Sequence, residues 1–230
     1  MIASERLPLT EPVRIVAALT TTELAVGYGK TVVVERVNLD IAPGSVLKID
    51  GPNAAGKSTV VKTLVGVLPP LSGEVSICGY SLAHQGSQAK QRLGYSSGDL
   101  AFLTLTGREH LRIATLLWGV SDARVVRFLA RIARWPLAAH LDAESRTYSR
   151  GTLQQLSLAI ALLHEPSILV LDESFDNLDD ETLQHLLILL QEQVDLGMTL
   201  LYVSHRHEEL WPDSGQSVLT IRHNRIEEVK

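Results

Sequence analysis

Gly51-Pro52-Asn53-Ala54-Ala55-Gly56-Lys57-Ser58, with Thr59 next, has the spacing G-x-x-x-x-G-K-[ST]. Residues of these types in that order cradle phosphate. The glycines let the backbone turn so that N–H groups converge on an anion, the lysine reaches the β- and γ-phosphates, and the serine hydroxyl suits Mg2+. Far downstream, the apolar run Ile168-Leu169-Val170-Leu171 delivers two carboxylates, Asp172 and Glu173. Asp172 suits a direct or water-mediated Mg2+ partner for Ser58, and Glu173 can polarise an attacking water as general base. Two carboxylates at a strand end can instead merely cap a turn, and a glycine-rich turn can arise by chance.

A phosphate loop needs a strand before it and a helix after it, and both are readable. Glu23–Val26, Val32–Ile41 and Val46–Ile49 are β-rich runs punctuated by Gly27, Gly29, Pro43 and Gly44. From Lys57 to Val67 the apolar positions Val60, Val61, Leu64 and Val65 follow helical spacing, with Pro69-Pro70 as the stop. Between about Thr106 and His164 the pattern is helical. Ser121 and Asp122 suit a cap for a helix whose Val125, Phe128, Leu129 and Ile132 share one face, and Arg124, Arg127, Arg131 and Arg134 occupy other positions, read as a solvated face. The run Ile168–Leu171 reads as a fully buried strand, which places Asp172 and Glu173 at its carboxyl end, where open α/β sheets bind ligands. A helix over Glu181–Val194, buried through Leu183, Leu186, Leu187 and Leu190 and ended by Gly197, leads to a strand over Leu200–Ser204. A closing hairpin joins Val218–Ile221 to Ile226–Val229 around His223-Asn224. Residues 1 to about 15, with Pro8 and Pro12, read as a loose arm before one domain over 16–230.

Composition narrows the function. The 230 residues are 45% hydrophobic and 20% charged, ordinary for a globular protein, which excludes wholesale disorder and rod-like folds. A net charge of −5 gives no broad electrostatic reason to bind nucleic acid. The single cysteine, Cys78, cannot form an intramolecular disulfide and fits a reducing compartment. The longest apolar stretches, Leu156–Leu163 and Leu186–Leu190, fall short of the roughly 20 residues that cross a bilayer. No secretory signal is read at the amino terminus, so the expected location is cytoplasmic.

With these residues in place, the sequence resembles the ATP-binding subunits of ABC transporters from about Thr22 onward. Tyr28 lies where that family places an aromatic against adenine. Tyr148-Ser149-Arg150-Gly151-Thr152 looks like the signature Leu-Ser-Gly-Gly-Gln, Asp176-Asn177-Leu178-Asp179 like the D-loop, and His205 after Val203-Ser204 like the switch histidine. The resemblance implies an α/β fold: a phosphate-loop NTPase core of ABC ATPase type, an amino-terminal antiparallel β subdomain and a helical lobe over about 98–164. It implies ATP and Mg2+ as cofactors, with Gly51 through Thr59, Tyr28 and Asp179 on the nucleotide, Glu173 and His205 in catalysis, and Ser58 and Asp172 on the metal. Ser149 and Gly151 would contact ATP held by the opposite subunit of a head-to-tail dimer. The partners implied are a second ATPase chain, identical or related, and a membrane permease in a separate chain docking near Gly98–Leu111. The protein would then sit peripherally at the inner face of the membrane, with export favoured by the short chain.

Each assignment has a plainer counterpart. Tyr28 can be a surface aromatic, Ser149 an ordinary helix cap, Asp179 and Asp180 caps for the next helix, and His164 and Cys78 structural. A metal site at His205 and His207 lacks completing ligands. The chain also departs from the family pattern. Ala54 replaces a common glycine, Arg150 and Thr152 replace a glycine and the glutamine of the signature, Ser174 stands in place of proline after Glu173, and no glutamine lies near Tyr95–Asp99, where Gly98 aligns with the Q-loop glutamine. Two other readings follow: a soluble ABC-type ATPase that moves a protein or nucleic-acid partner, and a degenerate module that senses ATP without turnover.

Overall fold

The computed structural model describes residues 16–98, 100, 103–204, 210–211 and 216–229. The amino-terminal arm and His205 with His207 lie outside the described residues. Two sheets organise the rest. Strands β1 (Leu19–Tyr28), β2 (Thr31–Ile41), β4 (Ser72–Ile77) and β5 (Tyr80–Ser81) form an antiparallel sheet in the order β2-β1-β4-β5. Strands β3 (Val46–Asp50), β6 (Leu93–Ser96), β7 (Ile168–Asp172), β8 (Thr199–Val203), β9 (Gln216–Arg222) and β10 (Arg225–Val229) form the second, ordered β10-β9-β3-β8-β7-β6. In it β6, β7, β8, β3 and β9 run parallel and only β10 is antiparallel, joined to β9 by the expected hairpin. His223 and Asn224 both take left-handed φ, 49° and 60°, as a tight two-residue hairpin turn requires.

The central strands are buried on both faces, and their alternation explains the continuous apolar runs. Leu169 and Leu171 of β7, with Leu200 and Tyr202 of β8, enter a core shared with the helical part of the chain. Ile168 and Val170, with Leu201 and Val203, enter a second core against the antiparallel sheet and α1 (Lys57–Leu64). The first core is built from α3 (Gly107–Trp118), α4 (Asp122–Arg131), α5 (Arg150–Leu162) and α6 (Asp180–Asp195); a short α2 (Gly86–Lys90) precedes β6. In α4, Phe128 and the following Ile132 are buried while Val125 and Leu129 are partly covered, which is the face expected.

Several boundaries differ from the sequence expectation. Helix α1 ends at Leu64, well before Pro69-Pro70. Gly66 takes φ 72°, and the N–H groups of Val67 and Leu68 both return to the carbonyl of Lys62, which closes the helix by a left-handed glycine turn. Strand β1 begins earlier than Glu23, at Leu19, because its irregular register between Thr21 and Leu24, with Glu23 at φ 46°, breaks the alternation that signals a strand. Ser121 occupies the N-cap of α4 but its side chain makes no cap bond. Helix α3 instead has a full capping box between Thr106 and Glu109. The arginine row is partly paired: Arg124 bonds Glu165 and Arg131 bonds Glu192.

Candidate functional site

The phosphate loop leaves β3 at Asp50 and enters α1 at Lys57. Gly56, the residue that caps α1, takes φ 100°, and Ala54 is left-handed at φ 64°. Lys57 is nearly buried and its Nζ donates to the carbonyls of Gly51 (2.8 Å) and Pro52 (3.1 Å), which uses two of its three hydrogens. The ammonium is thereby held across the loop at the positive end of α1.

At the opposite wall, β7 ends on Asp172. The parallel registers of β3, β7 and β8 bring the carboxyl ends of all three strands to one edge of the sheet. Ser58 Oγ donates to Asp172 Oδ1 at 3.2 Å, so the two proposed metal ligands are adjacent. Their chemistry fits Mg2+, which takes hard oxygens and is commonly held by one or two protein groups together with substrate phosphates. Among the described residues no cluster of three or more His, Cys, Asp or Glu side chains could hold a metal by itself. Glu173 is exposed, and its backbone N–H donates to the carbonyl of Val203 at 2.9 Å. A cavity of about 440 Å³ is lined by Asn53, Ala54, Gly56, Lys57, Ser58, Thr59 and Glu173, and also by Val33 of β2. An anion-binding loop, the Ser58 hydroxyl and a potential base therefore face one space, and Asp172 is bonded to that hydroxyl.

The other sequence-predicted residues stand outside that lining. Tyr28 ends β1 and is 55% exposed. Ser149 is the N-cap of α5, its Oγ accepting from the N–H of Thr152 at 3.1 Å, so the plainer capping role is real here. Gly151 lies against the Asp176–Asp179 turn: a Cβ there would stand 2.7 Å from the carbonyl oxygen of Asn177, so this close approach admits only glycine. Asp179 caps α6, accepting from Thr182 N–H and Thr182 Oγ1, both at 2.9 Å. The Thr182 backbone bond holds its carboxyl below the usual carboxylate range. Ser204, just after β8, donates to Asp176 Oδ1 at 3.0 Å and links the end of that strand to the Asp176–Asp179 turn.

Sequence reasoning missed Val33, an apolar residue in a strand that carries no chemical signal. It also missed a buried polar group formed by Ser96, Gln154, Ser157 and Ser174. His164 proves structural: it is buried, donor or acceptor to the carbonyl of Leu93 through Nε2 at 3.2 Å, and stacked on Trp118 with ring centroids 4.5 Å apart. Burial pushes its imidazole pKa down. Cys78 is half-buried, and burial pushes its thiol pKa up.

Comparison with known proteins agrees with this geometry. Residues 34–176 match the family described as ABC transporter. The chain is 29% identical over 185 residues to the linearmycin resistance ATP-binding protein LnrL of Bacillus subtilis, covering 80% of this chain and 60% of that one. It is 31% identical over 187 residues to the Nod factor export ATP-binding protein I of Cupriavidus metallidurans, covering 79% of this chain and 61% of that one. The chain thus spans about three fifths of the length of these curated relatives. The solved structure of an ATP binding subunit of an ABC transporter superposes with a TM-score of 0.84 at 29% identity, over 93% of this chain and 90% of that one.

Proposed function

The chain belongs to the ABC transporter family, and on that basis we propose that it is an ATP-binding and ATP-hydrolysing subunit that drives a membrane permease carried by another polypeptide. The observation that carries this reading is the meeting of Lys57, Ser58 and Glu173 on one open cavity, with Asp172 hydrogen-bonded to the Ser58 hydroxyl. Backbone N–H groups of the loop and Lys57 bind and orient the β- and γ-phosphates, and Tyr28 holds the adenine. Ser58 and Asp172 would hold Mg2+, which would supply charge neutralisation at those phosphates. Glu173 takes a proton from water as the water oxygen bonds the γ-phosphorus and the bond from that phosphorus to the β–γ bridging oxygen breaks, leaving ADP and phosphate, while His205 would contact the γ-phosphate.

The site closes as a dimer of two such chains, identical or related, head to tail around two ATP molecules. Support comes from Ser149 and Gly151, which lie off the cavity of their own chain and so remain for the nucleotide of a second one. Export is the direction we favour, in keeping with the export and resistance names of the two relatives. No described helix is long and apolar enough to cross a membrane. In this reading the membrane path belongs to a partner, with this chain at the inner face. The groove between the core and the helical part is lined by Val67, Tyr95, Trp118 and His164. Beyond it α3 exposes Ile113, Leu116 and Leu117, a surface suited to the permease.

The test is Glu173→Gln. The amide keeps shape and loses the base, so this variant should bind ATP, release phosphate at least about a hundredfold more slowly and accumulate an ATP-bound dimer. Parental turnover in that variant would transfer water activation to another group.

A further inference from the structure

The residue after Glu173 is one of the least exposed polar residues described. Ser174 is 0% exposed, and its hydroxyl donates to the backbone carbonyl of Ser96, the last residue of β6, at 2.8 Å. Ser174 Oγ also stands 3.2 Å from Ser96 Oγ. Ser96, itself 1% exposed, accepts from Gln154 Nε2 at 3.2 Å and shares a 2.9 Å hydrogen bond with Ser157 Oγ. Gln154 and Ser157 lie three residues apart on α5, on one face of that helix. Three segments therefore meet in one buried polar cluster: the turn that bears Glu173, the end of β6, and the helix that begins beside Ser149.

The same glutamine stands against position 98, where the left-handed backbone already favours glycine. Gly98 takes φ 78°, and a Cβ built there would stand 2.3 Å from Gln154 Oε1. A glutamine at 98 would have to displace the amide that now bonds Ser96. In this chain the buried amide next to β6 comes from α5 instead of from the loop after β6.

Glu173 needs an anchor of this kind. Its φ of 55° lies in the left-handed region, which a non-glycine residue keeps only when its surroundings hold it there. One hold is its own N–H on the Val203 carbonyl. The second is the next side chain, Ser174, fastened to β6. A proline at 174 has no hydroxyl and could not make that bond.

We propose that Ser174 is a positioning residue for Glu173, and that Ser96 and Gln154 couple this position to α5. The inference rests on the reading of Glu173 as the base in ATP hydrolysis. Ser174 does not touch the nucleotide; it fixes the backbone from which the Glu173 carboxylate enters the cavity.

The experiment uses the full chain with the membrane partner that co-purifies with it. Phosphate release from Mg-ATP is followed for the parent, Ser174→Ala, Glu173→Gln and the double variant, with single-turnover measurement at high enzyme concentration for the slow ones. Affinity for a non-hydrolysable ATP analogue is measured in parallel. Ser174→Ala should lower kcat about ten- to a hundredfold, the size of effect that a misplaced catalytic group produces, with KM and analogue affinity within about twofold of the parent. The double variant should be no slower than Glu173→Gln alone, because a residue acting through Glu173 has nothing left to position. If Ser174→Ala does not fold, Ser174→Cys keeps a side chain of similar size with a weaker donor and should show the same loss of kcat in smaller degree. Parental kcat in the folded variant, or a further loss on top of Glu173→Gln, overturns the positioning role while leaving the ATPase reading intact. A parent without turnover that Glu173→Gln removes overturns the ATPase reading, and the positioning role with it.

Discussion

Ser58 Oγ stands 3.2 Å from Asp172 Oδ1, a contact across 114 residues of sequence that ties the first turn of α1 to the last residue of β7. If these two oxygens hold Mg2+ together, each should matter only when Mg2+ is present. Ser58→Ala and Asp172→Asn are each expected to weaken ATP binding about ten- to a hundredfold in Mg2+ and to change it little in EDTA. The double variant should add little, since the pair shares one ion. Calorimetric titration in both buffers checks this, and a Mg2+-dependent gain that survives in both variants would remove the assignment.

Lys57 is held over Gly51 and Pro52, so its charge is already in place for phosphate. Lys57→Ala should cost about 1.5–3 kcal/mol of binding, the usual worth of a hydrogen bond to a charged group, or roughly ten- to a hundredfold or more in Kd. Unchanged calorimetric affinity for Mg-ATP would sink the phosphate-loop assignment.

Asp179 gives a stability prediction with a pH sign. It caps α6 through two bonds from Thr182, and the same bonds hold its carboxyl below the usual range. A carboxylate with a lowered folded pKa adds stability above its unfolded pKa, near 4, and loses it as pH falls through the lowered folded value. Asp179→Ala should lower unfolding free energy at pH 7 by about 1 kcal/mol, the typical worth of an N-cap. Urea midpoints should show that deficit shrinking below about pH 4. A deficit that stays constant into acid would mean that the carboxylate charge is irrelevant to the cap.

Burial lowers the His164 pKa, and the ring lies against Trp118 and the Leu93 carbonyl. Here the folded pKa is below the unfolded value of about 6.5, so between the two the unfolded chain binds more protons, and stability is lost as pH drops and regained as it rises. The parent should therefore lose more stability than His164→Gln, which keeps a donor for Leu93 but cannot titrate, when pH drops from 7.5 to 5.5. Equal losses in urea midpoint would show that the imidazole does not resist protonation.

Much of the site was legible because it is local. Gly51–Ser58 has fixed spacing, and Ile168–Leu171 announces a strand buried on both faces, so Asp172 and Glu173 follow at its end. The parts that were not legible depend on register or on competition between signals. Pro69-Pro70 is a louder stop than Gly66, yet the helix ends at the glycine turn. Ser96, Ser157 and Ser174 are serines with no period, and only Ser174 stands out, as a departure from the family pattern. They meet because β6 pairs with β7 so that Ser96 lies beside Leu171, and because α5 crosses that end of the pair. Gly98 was visible as a departure from the family pattern, but the Gln154 amide that stands against it lies more than fifty residues away in the chain.

The composite active site is the proposal most open to a direct test of arrangement. Lys57, Ser58 and Glu173 line one cavity, while Ser149 sits off it at the start of α5. If each working site joins the phosphate loop of one chain to the signature of another, Lys57→Ala and Ser149→Arg damage different halves of it. Either variant alone forms homodimers in which both sites are damaged, and each should be nearly inactive. Ser149→Arg also removes a cap worth about 1 kcal/mol, so its thermal melt must first show a folded chain. In a mixed dimer one site collects both lesions, and the other pairs an intact loop with an intact signature. Mixing the two variants should therefore recover part of the ATPase activity in proportion to the mixed dimers counted by native mass spectrometry. A control dimer of wild type with the double variant also has one intact site and shows whether one site turns over alone. If that control is active while abundant mixed dimers stay dead, the site does not combine residues from two chains. If the control is dead as well, both sites must be intact for turnover, and crosslinking Ser149 of one chain to the phosphate loop of the other, through cysteines placed at Ser149 and Asn53, decides the arrangement.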